Sequence, residues 1–132
     1  MTEEILIWFA KWTKIKYKLH IGSNDPLYFG KREIWWASLG ANIGFEQNGK
    51  NEKFERPIII LKVFNEHLLW ALPLTSQKKE GKYYYKFIYG NKSSVVIISQ
   101  FRAISSKRLL RKIGMAPKSD FKEIKKRVKE LL

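Results

Sequence analysis

The chain has no cysteine among its 132 residues, which excludes disulfides and thiolate metal sites and makes a reducing cytoplasm the expected location. Histidine is nearly as scarce: His20 and His67 lie far apart, and neither has a clustered set of carboxylates beside it. Metal ligation and a Ser/His/Asp relay therefore lack their parts, and neither a metal nor a cofactor is expected. No glycine-rich loop opens a helix as a nucleotide-binding fold requires. Long apolar runs are missing too. The run Ile5 to Ala10 follows two glutamates and is interrupted by lysines from Lys11 onward, too short for a signal or a membrane span.

Acidic residues are also few, twelve against twenty-six basic ones, giving a formal charge of +14 and a pI near 10. Such a surface concentrates polyanions before any specific contact forms, so nucleic acid is the favoured partner. A merely well-solvated surface and an acidic protein partner are compatible with the same charge. Hydrophobic residues make up 45% and aromatics 14%, enough for one core with rings left for a surface. A chain of this length buries roughly 70% of its unfolded surface and forms one compact domain.

From Glu3 to Ile21, the residues Ile5, Trp8, Trp12, Ile15 and Leu19 recur at steps of three and four, one face of an amphipathic helix. Gly22-Ser23-Asn24-Asp25-Pro26 ends that pattern. Arg32 to Leu39 reads as a strand, and Ala41 to Glu55 as a mobile loop, long enough to suggest a functional lid. Ile58 to Phe64 and Leu68 to Leu74 form a hairpin around Asn65-Glu66-His67. Lys82 to Tyr89 places Tyr83, Tyr85 and Phe87 on one face. After the Gly90-Asn91 turn, Val95 to Ile98 continues as strand through Arg102.

Ser106 is expected to cap a short helix through Ile113, closed by Gly114. Asp120 and Glu123 fit a capping box at the start of a last helix whose buried stripe is Phe121, Ile124, Val128 and Leu131. The expected fold is mainly β, a small curled antiparallel sheet of five strands with helices at both ends. Residues 1–30 form an N-terminal helical extension expected to pack over the sheet edge or a dimer margin, and 31–132 the main domain.

The chemistry centres on Glu55-Arg56-Pro57-Ile58-Ile59-Ile60-Leu61. Proline cannot donate to a ladder, so the Arg-Pro pair belongs at a strand entrance, holding Arg56 at the rim on a stiff backbone. RNA carries its own nucleophile in the 2′-hydroxyl. A protein that cleaves it must hold the phosphate in line, stabilise the charge growing on its oxygens and move protons. Arg56 suits the clamp, and the hydroxyls of Thr75 and Ser76 suit the same oxygens. Pairing of Arg56 with Glu55 or Glu46, and a turn role for Thr75, explain these residues equally well from composition.

Glu33-Ile34-Trp35-Trp36, Gly44-Phe45-Glu46-Gln47, Arg56-Pro57, Pro73-Leu74-Thr75 and Gln100-Phe101-Arg102, in that order, resemble the successive motifs of the MazF/PemK toxin endoribonucleases. The resemblance runs from about Arg32 to the C-terminus. It implies an SH3-like barrel working as a homodimer, and metal-free, sequence-specific cleavage of single-stranded RNA such as mRNA to a 2′,3′-cyclic phosphate and a 5′-hydroxyl. It also implies a cognate antitoxin whose acidic tail enters the RNA groove. By this resemblance Arg56 is the proton-transfer group and phosphate clamp, and Thr75 stabilises the transition state. Gln47, Gln100 and Arg102 are then RNA contacts, to which the reading of the residues adds the Ser76 hydroxyl. Phe45 and Ser99 stand where one branch of the family has histidine and aspartate, so that branch's acid–base scheme does not carry over. The alternative is a non-catalytic module of the same fold that binds RNA or a protein target such as gyrase.

Overall fold

The computed structural model describes residues 1–22 and 28–132. In chain order the elements are α1 (Thr2–Ile21), β1 (Glu33–Ser38), β2 (Glu55–Val63), β3 (Leu68–Thr75), β4 (Tyr84–Tyr89), β5 (Lys92–Ile97), β6 (Arg102–Ser105), β7 (Leu109–Met115) and α2 (Lys118–Glu130). Gly22 ends α1, and the remainder of the break expected at 22–26 lies outside the described residues. Among the described residues no helix is long and apolar enough to cross a membrane.

The strands form one antiparallel sheet, ordered β4-β5-β3-β2-β1-β7, with β6 also on β3. The sheet curls without closing, because β3 changes partner along its length. Leu68 to Ala71 pair with β6, whereas Leu74 and Thr75 pair with β5. A continuous strand from Val95 to Arg102 cannot follow both halves, and a 3-10 turn at Ile98–Gln100 breaks it there. Seven strands therefore replace the expected five.

Ser106 to Ile113 is not a helix. Its first residues form a 3-10 turn at Ser106–Arg108, and β7 then covers the otherwise unpaired edge of β1. Ser106 does not cap; its hydroxyl donates to the Glu66 carbonyl at 2.8 Å. Gly114 is a strand residue opposite Ile34, and a Cβ there would lie 2.8 Å from the Tyr89 ring. Glycine is thus required by a ring of β4 packed on β7, not by a helix terminus.

Apolar residues fill both faces of the sheet. One cluster joins Ile34, Ile59, Leu72, Leu74, Phe87 and Val96 to Phe121, Ile124 and Val128 of α2, and the other contains Trp35, Ile58, Ile60, Leu69 and Ile104. Each fully buried aliphatic side chain contributes about 1.5–3 kcal/mol, enough to fix α2 by its stripe. Leu131 at the end of that stripe is 40% exposed. The capping box does not form either: Pro117 precedes α2, and Asp120 accepts the Tyr85 hydroxyl at 2.5 Å. Glu123 instead takes Arg127 one turn on.

α1 packs on the loop after β1 and on the turn that leads into β7. Trp12 is buried with Ala41 and Phe54 of the following loop, while Trp8, Phe9, Ile15 and Leu19 pack around them and Ile5 stays exposed. Arg108 lies over the Trp12 ring at 5.7 Å and donates to the carbonyls of Ser38 and Leu39.

Candidate active site

Arg56 is carried by β2, paired across β1 with Ala37. Its other side has no strand neighbour, because β2 meets β3 only from Ile58, opposite Pro73. The space left there is a cleft of about 520 Å³, whose lining includes Arg56, Thr75, Ser76, Lys50, Lys92 and Trp36. Arg56 and Thr75 therefore line one cleft, with the guanidinium bonded to the carbonyl of Leu74, the residue before Thr75.

The guanidinium is fixed by main-chain acceptors. Nε donates to the Asn48 carbonyl at 2.7 Å and Nη1 to the Leu74 carbonyl at 3.1 Å. Neither Glu55 nor Glu46 pairs with it, so the surface-pair alternative fails. Glu55 is buried and bound by Arg111, whose Nη1 and Nη2 donate to it at 3.0 and 3.3 Å, with Asn51 donating to it as well. Burial pushes the Glu55 carboxyl up, but the hydrogen bonds of Arg111 and Asn51 and the nearby charges outweigh it, leaving the pKa below its ordinary value. For Arg56, burial alone lowers the pKa.

Thr75 is buried, and its hydroxyl oxygen accepts the Gln77 N–H at 3.2 Å. That bond orients the oxygen and leaves the hydroxyl proton free to donate. Ser76, the next residue, is exposed at the same mouth.

Gln47, Gln100 and Arg102 do not line this cleft. They gather with Asn42, Ser99 and Phe101 around a neighbouring hollow of about 380 Å³. Gln100 bridges across it, its Oε1 accepting the Gln47 N–H at 3.3 Å and its Nε2 donating to the Phe45 carbonyl at 3.0 Å. The divider is the segment Gln47-Asn48-Gly49, which supplies the carbonyl that holds Arg56.

This loop, expected to be a mobile lid, is a compact strap. The Asn42 side chain donates to the Leu39 and Gln47 carbonyls, and its backbone N–H donates to Asn48 Oδ1. Leu39 and Gly40 donate to the Phe54 carbonyl, and Lys50 and Glu55 exchange backbone bonds. A Cβ on Gly49 would fall 1.6 Å from the Phe54 oxygen, so only glycine lets the strap close.

The sequence reading missed the cations Lys50 and Lys92 and the ring of Trp36 at the cleft. Lys92 follows the Gly90-Asn91 turn, and its distance from Arg56 in sequence hides the cleft they share. Among the described residues no group of three or more His, Cys, Asp or Glu side chains could hold a metal ion.

The family model for PemK-like, MazF-like toxins of type II toxin–antitoxin systems matches residues 31–132. The chain belongs to this toxin family. MazF from Deinococcus radiodurans has the same fold, with a TM-score of 0.66 at 22% identity over 80% of this chain and 96% of that one. The Mycobacterium tuberculosis toxin MazF-mt6 gives 0.57 at 19% identity over 75% and 94%. A MazE–MazF structure from D. radiodurans gives 0.59 at 19% identity over 80% and 95%. These identities establish likeness of fold. No curated protein matches the chain significantly. α1 lies wholly outside the PemK-like match, yet it packs on the strap at the toxin's cleft.

Proposed function

We propose that the protein is an endoribonuclease toxin that cleaves single-stranded RNA at specific short sequences without a metal or cofactor. The observation that carries this reading is the meeting of Arg56 and Thr75 at one cationic cleft, with the guanidinium preset by two carbonyls. Nε and one Nη1 proton are occupied, so the Nη2 edge remains for a phosphate. Thr75, with Ser76 at the mouth, donates to the non-bridging oxygens. The substrate's 2′-oxygen attacks the adjacent phosphorus and the 5′-oxygen leaves. A 2′,3′-cyclic phosphate and a 5′-hydroxyl result.

Arg56, held at the cleft by two carbonyls, gives the proton that the leaving 5′-oxygen takes; the 2′-hydroxyl proton passes to water, and exchange with solvent restores the guanidinium. Gln47, Gln100 and Arg102, in the hollow beyond the strap, contact the neighbouring nucleotides. The chain works as a homodimer in the cytoplasm, and its cognate antitoxin inserts an acidic tail into the same cationic surface. A solved relative is described as an endoribonuclease in complex with its cognate antitoxin, at 11% identity. Residues 31–132 form the toxin domain, and 1–30 an extension that braces it.

The test is incubation of the purified protein with a mixed single-stranded RNA pool in EDTA, followed by sequencing of the cut ends. Cleavage at a short common sequence, lost in Arg56→Ala with an unchanged circular dichroism spectrum, is expected. Tight binding that leaves the RNA intact would overturn the reading in favour of a binding module.

A further inference from the structure

Outside the Arg56 cleft, positive charge is densest around α2. Lys118, Lys122, Lys125, Lys126 and Lys129 lie along it, whereas Asp120 is engaged by Tyr85 and Glu123 by Arg127. Between α2 and the β2–β3 hairpin runs a cleft of about 620 Å³, walled by Trp70, Phe29 and Val63 and ringed by Lys62, Lys125 and Lys129. Lys62 Nζ stands 5.4 Å from the Phe64 ring centroid and 6.0 Å from that of Trp70.

This cleft is joined to the proposed RNA contacts by a chain of rings. The ring of Trp70 stands nearly perpendicular to that of Phe64, with centroids 4.9 Å apart, and to that of Phe101, with centroids 5.5 Å apart. Phe101 in turn lines the hollow of Gln47, Gln100 and Arg102. We propose that the α2 cleft is an outlying nucleotide subsite. It takes a base of the single strand beyond the cleaved step, stacked against Trp70, with flanking phosphates on Lys62 and Lys125. The inference rests on the endoribonuclease reading and extends it to a longer substrate.

The chemistry selects a nucleotide over an acidic peptide. Carboxylates would use the lysines but leave the aromatic and aliphatic floor wet. A nucleotide presents a flat apolar ring and an anionic flank at adjacent positions, which is what this floor and rim accommodate.

The test compares cleavage of single-stranded oligoribonucleotides, from the shortest that is cut to about twenty nucleotides, by the full chain in EDTA. The variants are Trp70→Leu and the pair Lys62→Glu with Lys125→Glu, two exposed lysines whose reversal leaves the core untouched. Reversal of Lys14 and Lys18 on α1, also exposed, controls for a general loss of charge. The expected result is a KM for the longest oligomer raised about tenfold or more by either cleft variant, as loss of one stacked base or two phosphate contacts implies. kcat, the KM of the shortest oligomer and the α1 control should stay unchanged.

A KM that does not depend on oligomer length, or an equal effect of the α1 control, would overturn the subsite. So would cleft variants that change the sedimentation mass or polyglutamate binding while RNA kinetics hold. If the wild type cuts nothing, the reading of the Arg56 cleft falls by itself. The subsite is then judged by titrating poly(U): binding weakened about tenfold by the lysine reversals upholds it, and unchanged binding rejects it.

Discussion

Trp12 of α1 occupies the space a side chain at Gly40 would need: a Cβ there would fall 2.1 Å from Trp12 Cε2, and Gly40 has φ of +87°. The rings of Trp8 and Trp12 also lie 5.7 and 5.5 Å from that of Phe54, at the far end of the same strap. The helix outside the family match therefore clamps both ends of the loop whose middle holds Arg56 through the Asn48 carbonyl. Burial, not charge, links the extension to the cleft.

Trp12→Ala should accordingly lower stability by about 3 kcal/mol, as expected for emptying a buried indole site. Amide exchange should quicken in residues 39–54 before the sheet responds, since a strap without its cover opens locally. Urea unfolding and exchange mass spectrometry measure the two effects. An unchanged midpoint on deleting residues 1–21 would mean the helix is a passenger.

The pair of Glu55 and Arg111 makes a pH prediction. The folded pKa of Glu55 lies below its ordinary value of 4.5. Its stabilisation is therefore complete above that value and is lost as pH falls through the lower, folded-state pKa. Acid unfolding followed by tryptophan fluorescence should show Glu55→Gln less stable than wild type at pH 7, with the difference shrinking below pH 4.5. Arg111→Ala should be worse at neutral pH than Glu55→Gln, by about 1–2 kcal/mol, because it strands a buried carboxylate.

How much of this was readable from the chain depends on the range of the interaction. Alternation in β4 and the apolar stripe of α2 are local patterns, and both elements formed where the pattern placed them. Ser106 to Gly114 misled because its end signals are also those of a turn and a strand, and the open edge of β1, distant in sequence, chose the strand. Asp120 likewise looked like a cap until Tyr85 from β4 claimed it. Motif order paired Arg56 with Thr75, and both line one cleft, whereas Lys50 and Lys92 reach that cleft only through the curl of the sheet.

Arg56→Lys separates charge from geometry. An ammonium keeps the positive charge but cannot span the Asn48 and Leu74 carbonyls while facing a phosphate, since those bonds use distinct nitrogens of a planar fork. Cleavage should fall about 10²-fold or more. RNA binding in a filter assay should fall far less, because the charge survives. Full activity in the lysine variant would show that a point charge suffices and that the double clamp is incidental.

Thr75 offers the sharper test of where the transition-state charge sits. Valine keeps the shape of threonine but removes the hydroxyl, which here accepts one bond from the Gln77 N–H. Leaving that N–H unpaired costs about 1–2 kcal/mol of stability, a loss visible as a lower melting temperature. If the hydroxyl proton is donated to the phosphate oxygens only as their charge grows, Thr75→Val also lowers kcat about 10²- to 10³-fold with KM unchanged. Thr75→Ser restores a hydroxyl at the same carbon, so it should recover most of kcat. A purely structural role predicts the opposite ordering: serine, which lacks the buried methyl, would then be no better than valine, and activity would track stability across the pair.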